Sequence, residues 1–329
     1  MKINLSKLLN KNVAGTSFIN DYLTKGTFMK NFNTKITHET SPHYHSNKSG
    51  LLNTQKIWLE NEKINIRYAQ LGNLGNPPII LLHGVPENLQ AWYGVAPLLA
   101  KHFNVLAIDL PGFGGSDGFA SHNEYNSHHF AQVVVAFMDA LNIDKASLVA
   151  SDISLLPALL VGLKSPNRVN KLVVMDGIPF FRPQYSSWEL KSFAKKGSII
   201  GKALVEWFPY VSAHIAYFKG FYRGHSIPLA IKHEFLSDGK SKTNQLAFLA
   251  YFQNFTIGQE YFEKHVGNLK KEVLVLWGKQ DRFIDKKLAI EIDQLLPNSR
   301  LDIIDKAGHY LHMDRPEIVA KKTIEFLNY

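Results

Sequence analysis

The sequence predicts an α/β protein: a mostly parallel sheet flanked by helices, with a helical cap inserted into it. Three observations carry this. Short strand-like apolar runs alternate with helical patterns from Gln55 to Asp176. From about Pro179 to Asn268 no strand pattern occurs, and aromatic-rich helical stretches such as SAHIAYFKGFYRG and NQLAFLAYFQNF take over. The strand–helix alternation then resumes toward Tyr329. Strands buried on both faces read as unbroken apolar runs, and in alternation with helices they make a parallel sheet covered on both sides.

The elements follow in order. QKIWLE and KINIRYAQ alternate polar and apolar residues and read as an antiparallel pair turned at Asn61-Glu62. LGNLGNPP is a Gly/Pro turn, and PPIILLHG is a short all-apolar strand. A helix is predicted over Leu89–Lys101, then the strand NVLAIDL, the loop PGFGGSDG and a helix around HHFAQVVVAFMDALNI. The strand ASLVA, a helix to Lys164 and the strand VNKLVVMD complete the first half. After the cap come EVLVLWG, KKLAIEIDQLL, RLDIIDKAGH and PEIVAKKTIEFLN, read as strand, helix, strand, helix. The expected organisation is a loosely structured extension over 1–53, a core of 54–179 and 269–329, and a cap over 180–268.

Composition narrows the chemistry. Hydrophobic residues are 45% of 329, ordinary for a globular protein. The absence of cysteine excludes disulfides, thiolate metal sites and cysteine nucleophiles. The net charge of +9 would suit nucleic acid or a membrane surface, but the basic residues are scattered pairs such as Lys270-Lys271, so no nucleic-acid partner is expected. No apolar run reaches transmembrane length. The N-terminus lacks the apolar core of a secretory signal, so a cytoplasmic location is expected, with weak surface association through the basic N-terminus as a secondary reading. His38, His43 and His45 have no carboxylates or regular structure around them and read as a polar tail rather than a metal site. GFGGSDG fails the spacing of a dinucleotide fingerprint, and Pro111 precedes it.

Five motifs in a fixed order carry the functional signal: HGVPENLQAW after the third strand, DLPGFGGSD after the fourth, ASDIS after the fifth, GKQDRFI after a late strand, and AGHYLHMDRPE near the end. In this order and spacing, from Gln55 to Tyr329, the chain resembles the α/β-hydrolase family. The nucleophile elbow of that family needs small residues two before and two after its apex. Centring on Asp152 gives Ala150 and Ser154; centring on Ser151 gives Val149 and Ile153, and on Ser154 gives Asp152 and Leu156. Only the first fits, which makes Asp152 the apex rather than merely a helix cap. The resemblance implies a triad of Asp152, His309 and Asp281, with Asp176 as the rival orienting acid and His312 as a decoy base. It also implies an oxyanion hole from the backbone N–H groups of Val85 and Ile153.

A carboxylate at the elbow displaces a leaving group from saturated carbon and forms an alkyl ester, which a histidine-activated water then opens. Substrates of that kind are epoxides and alkyl halides. Ile153 and Val85 stand where haloalkane dehalogenases place halide-gripping donors, and neither offers a side-chain donor. The HGVPE loop is like that of epoxide hydrolases. The expected function is therefore epoxide hydrolysis to a diol, on a small apolar substrate and without metal or organic cofactor. The cap would supply the proton for the opening oxygen from among Tyr185, Tyr210, Tyr217, Tyr222, Tyr251, Tyr261 and His214, and His214 and Tyr251 match best by position. The alternatives are a haloalkane dehalogenase-like hydrolase and a non-catalytic homologue that binds a ligand in the same pocket.

Overall fold

The computed structural model describes residues 50–195, 198–206, 209–223 and 227–328. The N-terminal extension with His38, His43 and His45, and the side chain of Tyr210, lie outside the described residues. The eight strands are β1 (Gln55–Leu59), β2 (Ile64–Leu71), β3 (Pro78–Leu82), β4 (Asn104–Ile108), β5 (Ala146–Ser151), β6 (Val169–Met175), β7 (Val273–Gly278) and β8 (Ser299–Ile304). They form one sheet in the order β1-β2-β4-β3-β5-β6-β7-β8. β1 and β2 pair antiparallel, as does β2 with β4, and β3 to β8 run parallel.

Successive side chains of a strand point to opposite faces, and the core divides accordingly. Ile80, Leu82, Leu148 and Val275 pack on one side with α2 (Ser127–Ala140), α3 (Leu155–Lys164) and α10 (Lys287–Leu295). Ile79, Leu81, Val149 and Leu274 pack on the other with α1 (Ala96–Leu99) and α12 (Pro316–Asn328). This is why β3, β4, β5 and β7 read as continuous apolar runs: both of their faces are buried.

The helix expected over Leu89–Lys101 is two short pieces, a 3-10 turn at Leu89–Trp92 and then α1. Pro97 explains the break: it has no N–H to donate, and its ring would clash with the carbonyl of Tyr93 in a continuous helix. The extension predicted over 1–53 meets the core before its end. Leu52 is buried, donates its N–H to Gln90 Oε1 at 2.8 Å and accepts from Gln90 Nε2 at 3.0 Å.

Between β6 and β7 the described chain is helical: α4 (Trp188–Ala194), α5 (Ile199–Glu206), α6 (Pro209–Gly220), α7 (Leu229–Lys240), α8 (Lys242–Asn254) and α9 (Gln259–His265). Polar side chains tie this insertion to the core. Arg67 on β2 pairs with Asp109 and reaches Glu234 of α7 at 2.7 Å. Asn88 donates to Asp238 at 2.5 Å, and the Gly114 N–H donates to Asn244 at 3.1 Å. A one-turn helix, α11 (Leu311–Asp314), precedes α12. Among the described residues no helix is long and apolar enough to cross a membrane.

Candidate active site

Because β3 to β8 are parallel, the loops leaving their C-terminal ends gather along one edge, where ligands bind in open α/β sheets. Each loop brings one group: Val85 after β3, Asp109 after β4, Asp152 after β5, Asp176 after β6, Asp281 after β7 and His309 after β8.

Asp152 sits at φ 53°, a left-handed conformation that costs a non-glycine residue about 1–3 kcal/mol. A tight turn is the physical reason, and its neighbours show how tight. A Cβ on Gly84 would lie 2.7 Å from the Asp152 Cβ, and one on Gly177 would lie 2.3 Å from the Asp152 carbonyl oxygen. Ala150 and Ser154, the small residues flanking the apex, are fully buried, and the Ser154 hydroxyl donates to the His83 carbonyl. Ser154 is therefore framework, Ser151 is buried, and the carboxylate is the group presented at the turn.

The Asp152 carboxylate is held from two sides. The Val85 N–H donates to Oδ2 at 2.8 Å, and His309 Nε2 stands 3.7 Å from Oδ1. His309 Nδ1 lies 2.9 Å from Asp281 Oδ2, a side chain fully shielded from water. That bond orients the ring and aims Nε2 at Asp152. Burial alone would favour neutral His309, but the Asp281 charge, the hydrogen bond to Asp281 and the Asp152 carboxylate outweigh it, raising the pKa well above the ordinary histidine value. The two neighbouring carboxylates thus favour the imidazolium form of His309.

Asp176 makes no such bond. Its Oδ1 accepts from the Gly278 N–H at 2.8 Å, while Oδ2 is buried without a hydrogen-bond partner. Burial first, and the Asp281 charge second, push its carboxyl well above the usual range, so it is held protonated. Of the two acids offered by the sequence, Asp281 orients the histidine and Asp176 is a neutral neighbour.

The decoy His312 is fully buried in α11, its ring tilted against that of Trp92 at 4.6 Å and its Nε2 3.3 Å from Glu87 Oε2. Burial opposes a charged Glu87. His312 and the Gly84 N–H offset that burial, and the net effect holds the carboxyl below its ordinary value. The pair braces the HGVPE loop, whose Val85–Pro86 bond is cis. His83 is a framework residue that sequence reasoning passed over. Its Nε2 accepts the Leu110 N–H at 3.0 Å, leaving Nδ1 as the donor to the Gly84 carbonyl at 2.6 Å, and burial lowers its pKa. It thereby staples the loops after β3 and β4. The only advance signal was its place in the HG dipeptide ending a strand.

The site opens into a cavity between the strand ends and the inserted helices. Asp152, His309 and Tyr310 line it from the core, and Leu190, Phe193, Tyr217 and Phe248 are among its apolar and aromatic walls. The two expected proton donors are not placed there. His214 is exposed on α6 and is not among the residues that line the cavity, although Ile215–Tyr217 are. The Tyr251 hydroxyl donates to the Ile153 carbonyl at 3.1 Å and meets Ser127 Oγ at 3.2 Å, while its ring stacks on Phe130. Tyr251 therefore supports the elbow from behind. Tyr217 is different: it lines the cavity, and its buried hydroxyl has no hydrogen-bond partner. Burial, helped by the nearby Glu87 charge, keeps that hydroxyl protonated.

Among the described residues no cluster of three or more His, Asp or Glu side chains is arranged to hold a metal ion. The groups that converge are a carboxylate, an imidazole with its orienting acid, a backbone donor and a tyrosine. Together they make a site in which the residue at the apex of the turn is acidic. The comparisons give the class. The family described as alpha/beta hydrolase fold matches residues 77–316, and the chain belongs to that family. It is 25% identical to a 2-hydroxy-6-oxononadienedioate/2-hydroxy-6-oxononatrienedioate hydrolase of Pseudomonas putida over 288 residues, covering 81% of this chain and 93% of the relative. It is also 25% identical to epoxide hydrolase 4 of Homo sapiens over 290 residues, covering 82% of this chain and 78% of that one. The structure of haloalkane dehalogenase DbeA from Bradyrhizobium elkani superposes with a TM-score of 0.72 at 19% identity, over 84% of this chain and 97% of the other. The protein is a hydrolase of the α/β-hydrolase family, with relatives named for several distinct bond cleavages.

Proposed function

We propose that the protein hydrolyses an epoxide to a diol through an ester on Asp152. The observation that carries the proposal is the elbow carboxylate itself, one oxygen on the Val85 N–H and the other facing His309. Asp152 Oδ1 attacks an epoxide carbon, the C–O bond breaks, and Tyr217 gives its proton to the departing alkoxide. The reason for choosing it over His214 and Tyr251 is that Tyr217 lines the cavity and its hydroxyl, buried, has no other hydrogen-bond partner.

Esterification removes the Asp152 charge, one of the influences that held His309 protonated, so its pKa falls; the imidazolium passes its proton to the Tyr217 phenolate, and the neutral imidazole becomes available as a base. It takes a proton from water, and the hydroxide adds to the Asp152 carbonyl carbon. The negative charge builds on the oxygen already held by the Val85 N–H, with the Ile153 N–H as the expected second donor. Collapse expels the diol oxygen, which takes the proton of the carboxyl just formed, so the Asp152 carboxylate is freed and His309 is again the imidazolium beside it. One water and one epoxide are consumed for each diol.

The halide alternative needs donors aimed at a departing halide. Asn244 on the cavity wall accepts the Gly114 N–H through its Oδ1, so its amide N–H donor is the group that would serve that alternative. The test is a turnover panel of apolar epoxides, haloalkanes and activated esters. Diol release from epoxides, reduced more than about a thousandfold in Asp152→Ala, is expected. Turnover of haloalkanes alone would replace this reading with dehalogenation. Tight ligand binding with no turnover, unaffected by Asp152→Ala, would replace it with a binding protein.

A further inference from the structure

The helices α4, α5 and α6 are apolar on two sides. Their inner residues Leu190, Phe193, Val205 and Ile215 line the cavity. Their outer residues include Trp188, Ile199, Ile200 and Phe218, with relative exposures of 56, 79, 59 and 70%. These are large side chains for so much contact with water, and they fall on consecutive, mutually packed helices. Gly201 brings α5 against Phe193 of α4, where an added Cβ would lie 3.1 Å from the ring. Lys219 at the end of α6 bonds Glu189 at the start of α4 at 2.6 Å, setting Phe218 and Trp188 beside a shared ion pair. An exposed apolar strip of this kind marks a surface that meets another apolar phase.

The charges around it say which phase. Lys191, Lys195 and Lys202 are exposed on α4 and its continuation through α5. Of the acids on these two helices, Glu189 is buried and bonded to Lys219, and Glu206 lies 3.9 Å from Lys202. The outward charge is therefore positive. A second copy of the chain, itself at +9, would be repelled, and residues 1–49, with seven lysines against Asp21 and Glu39, are no better matched. Apolar side chains fringed by lysine fit an anionic lipid surface, where rings and aliphatic groups enter the headgroup boundary and each lysine adds attraction.

We propose that the outer face of α4, α5 and α6 docks on anionic lipid, so that an apolar substrate passes from the lipid into the cavity on the inner side of the same helices. This does not depend on which bond the site cleaves.

The experiment is sedimentation of the full chain with phosphatidylcholine vesicles, with and without phosphatidylglycerol, at low and high salt. Binding is expected only when phosphatidylglycerol is present, and it should fall as salt rises. The Ile199→Ser/Ile200→Ser variant should partition about tenfold more weakly, and Lys191→Gln/Lys195→Gln likewise. Neither pair lines the cavity, so hydrolysis of a water-soluble substrate should be unchanged, which also shows that the variants fold. Brominated lipid should quench fluorescence in the wild type and markedly less in Trp188→Phe. Equal binding to both vesicle types, wild-type binding by both variants, or a dimer in solution that the isoleucine variant abolishes would each overturn the proposal.

Discussion

The strand ends and the helical insertion both line the cavity, but they position their residues by different means. At the strand ends the backbone does it: the positive φ of Asp152, the close approach of Gly84 and Gly177, and the Val85 N–H fix the carboxylate whatever the surroundings. In the insertion, ring against ring does it, as in the Phe193–Phe248 contact at 5.2 Å and the Phe248–Phe252 contact at 4.7 Å. Backbone geometry holds reacting atoms to a narrow tolerance, whereas aromatic packing shapes a volume. Chemistry should therefore be sensitive to conservative changes on the sheet side, and substrate choice to changes in the helices.

The largest test of this contrast compares two acids on the sheet side. Asp281→Asn removes the charge that orients and stabilises the imidazolium and should lower turnover by about a thousandfold or more. Asp176→Asn replaces an already neutral carboxyl by a neutral amide and should change turnover by less than about threefold. Steady-state kinetics on both variants checks the pair, and equal losses would erase the distinction between them.

A second pair sharpens the contrast across the two regions. Tyr217→Phe should cost about 100-fold in turnover and leave thermal stability unchanged or slightly higher, since it removes a buried hydroxyl that bonds to nothing. Tyr251→Phe should do the reverse, losing about 1 kcal/mol of stability with its bond to the Ile153 carbonyl while turnover changes by less than about threefold. Denaturant unfolding and kinetics on the same two proteins decide it.

The smallest effect concerns the latch between the regions. Burial outweighs the Asn88 hydrogen bond and raises the Asp238 carboxyl from 3.8 to about 6. Between those values the folded state binds the proton more tightly than the unfolded state. The favourable contribution is complete below 3.8 and is lost as pH rises through about 6. Asp238→Asn should flatten this stretch of the stability–pH curve and raise the midpoint of thermal unfolding by a few degrees at pH 7.

The same contrast explains what could be read in advance. The sheet was legible because strands buried on both faces leave unbroken apolar runs, and because the elbow admits only small neighbours, which singled out Asp152. The choice between Asp176 and Asp281 was only a preference, since both follow adjacent parallel strands, β6 and β7; the 2.9 Å contact to His309 separates them in space. The insertion was far less legible. Tyr251 and Tyr217 both lie at helical spacing among aromatic residues, and nothing along the chain tells that one hydroxyl meets the Ile153 carbonyl while the other meets nothing. The break at Pro97 was visible in principle, for the residue four before it cannot share a helix with it.

The central claim is that Asp152 becomes esterified and His309 releases it. Its most direct test is His309→Gln incubated with pooled apolar epoxides, followed by intact mass and peptide mapping. The account predicts a stable adduct equal to the mass of one epoxide, carried on the peptide containing Asp152 and absent when Asp152→Ala is added. An unmodified protein that nevertheless retains epoxide turnover, or an adduct on Ser151 or Ser154, would contradict it.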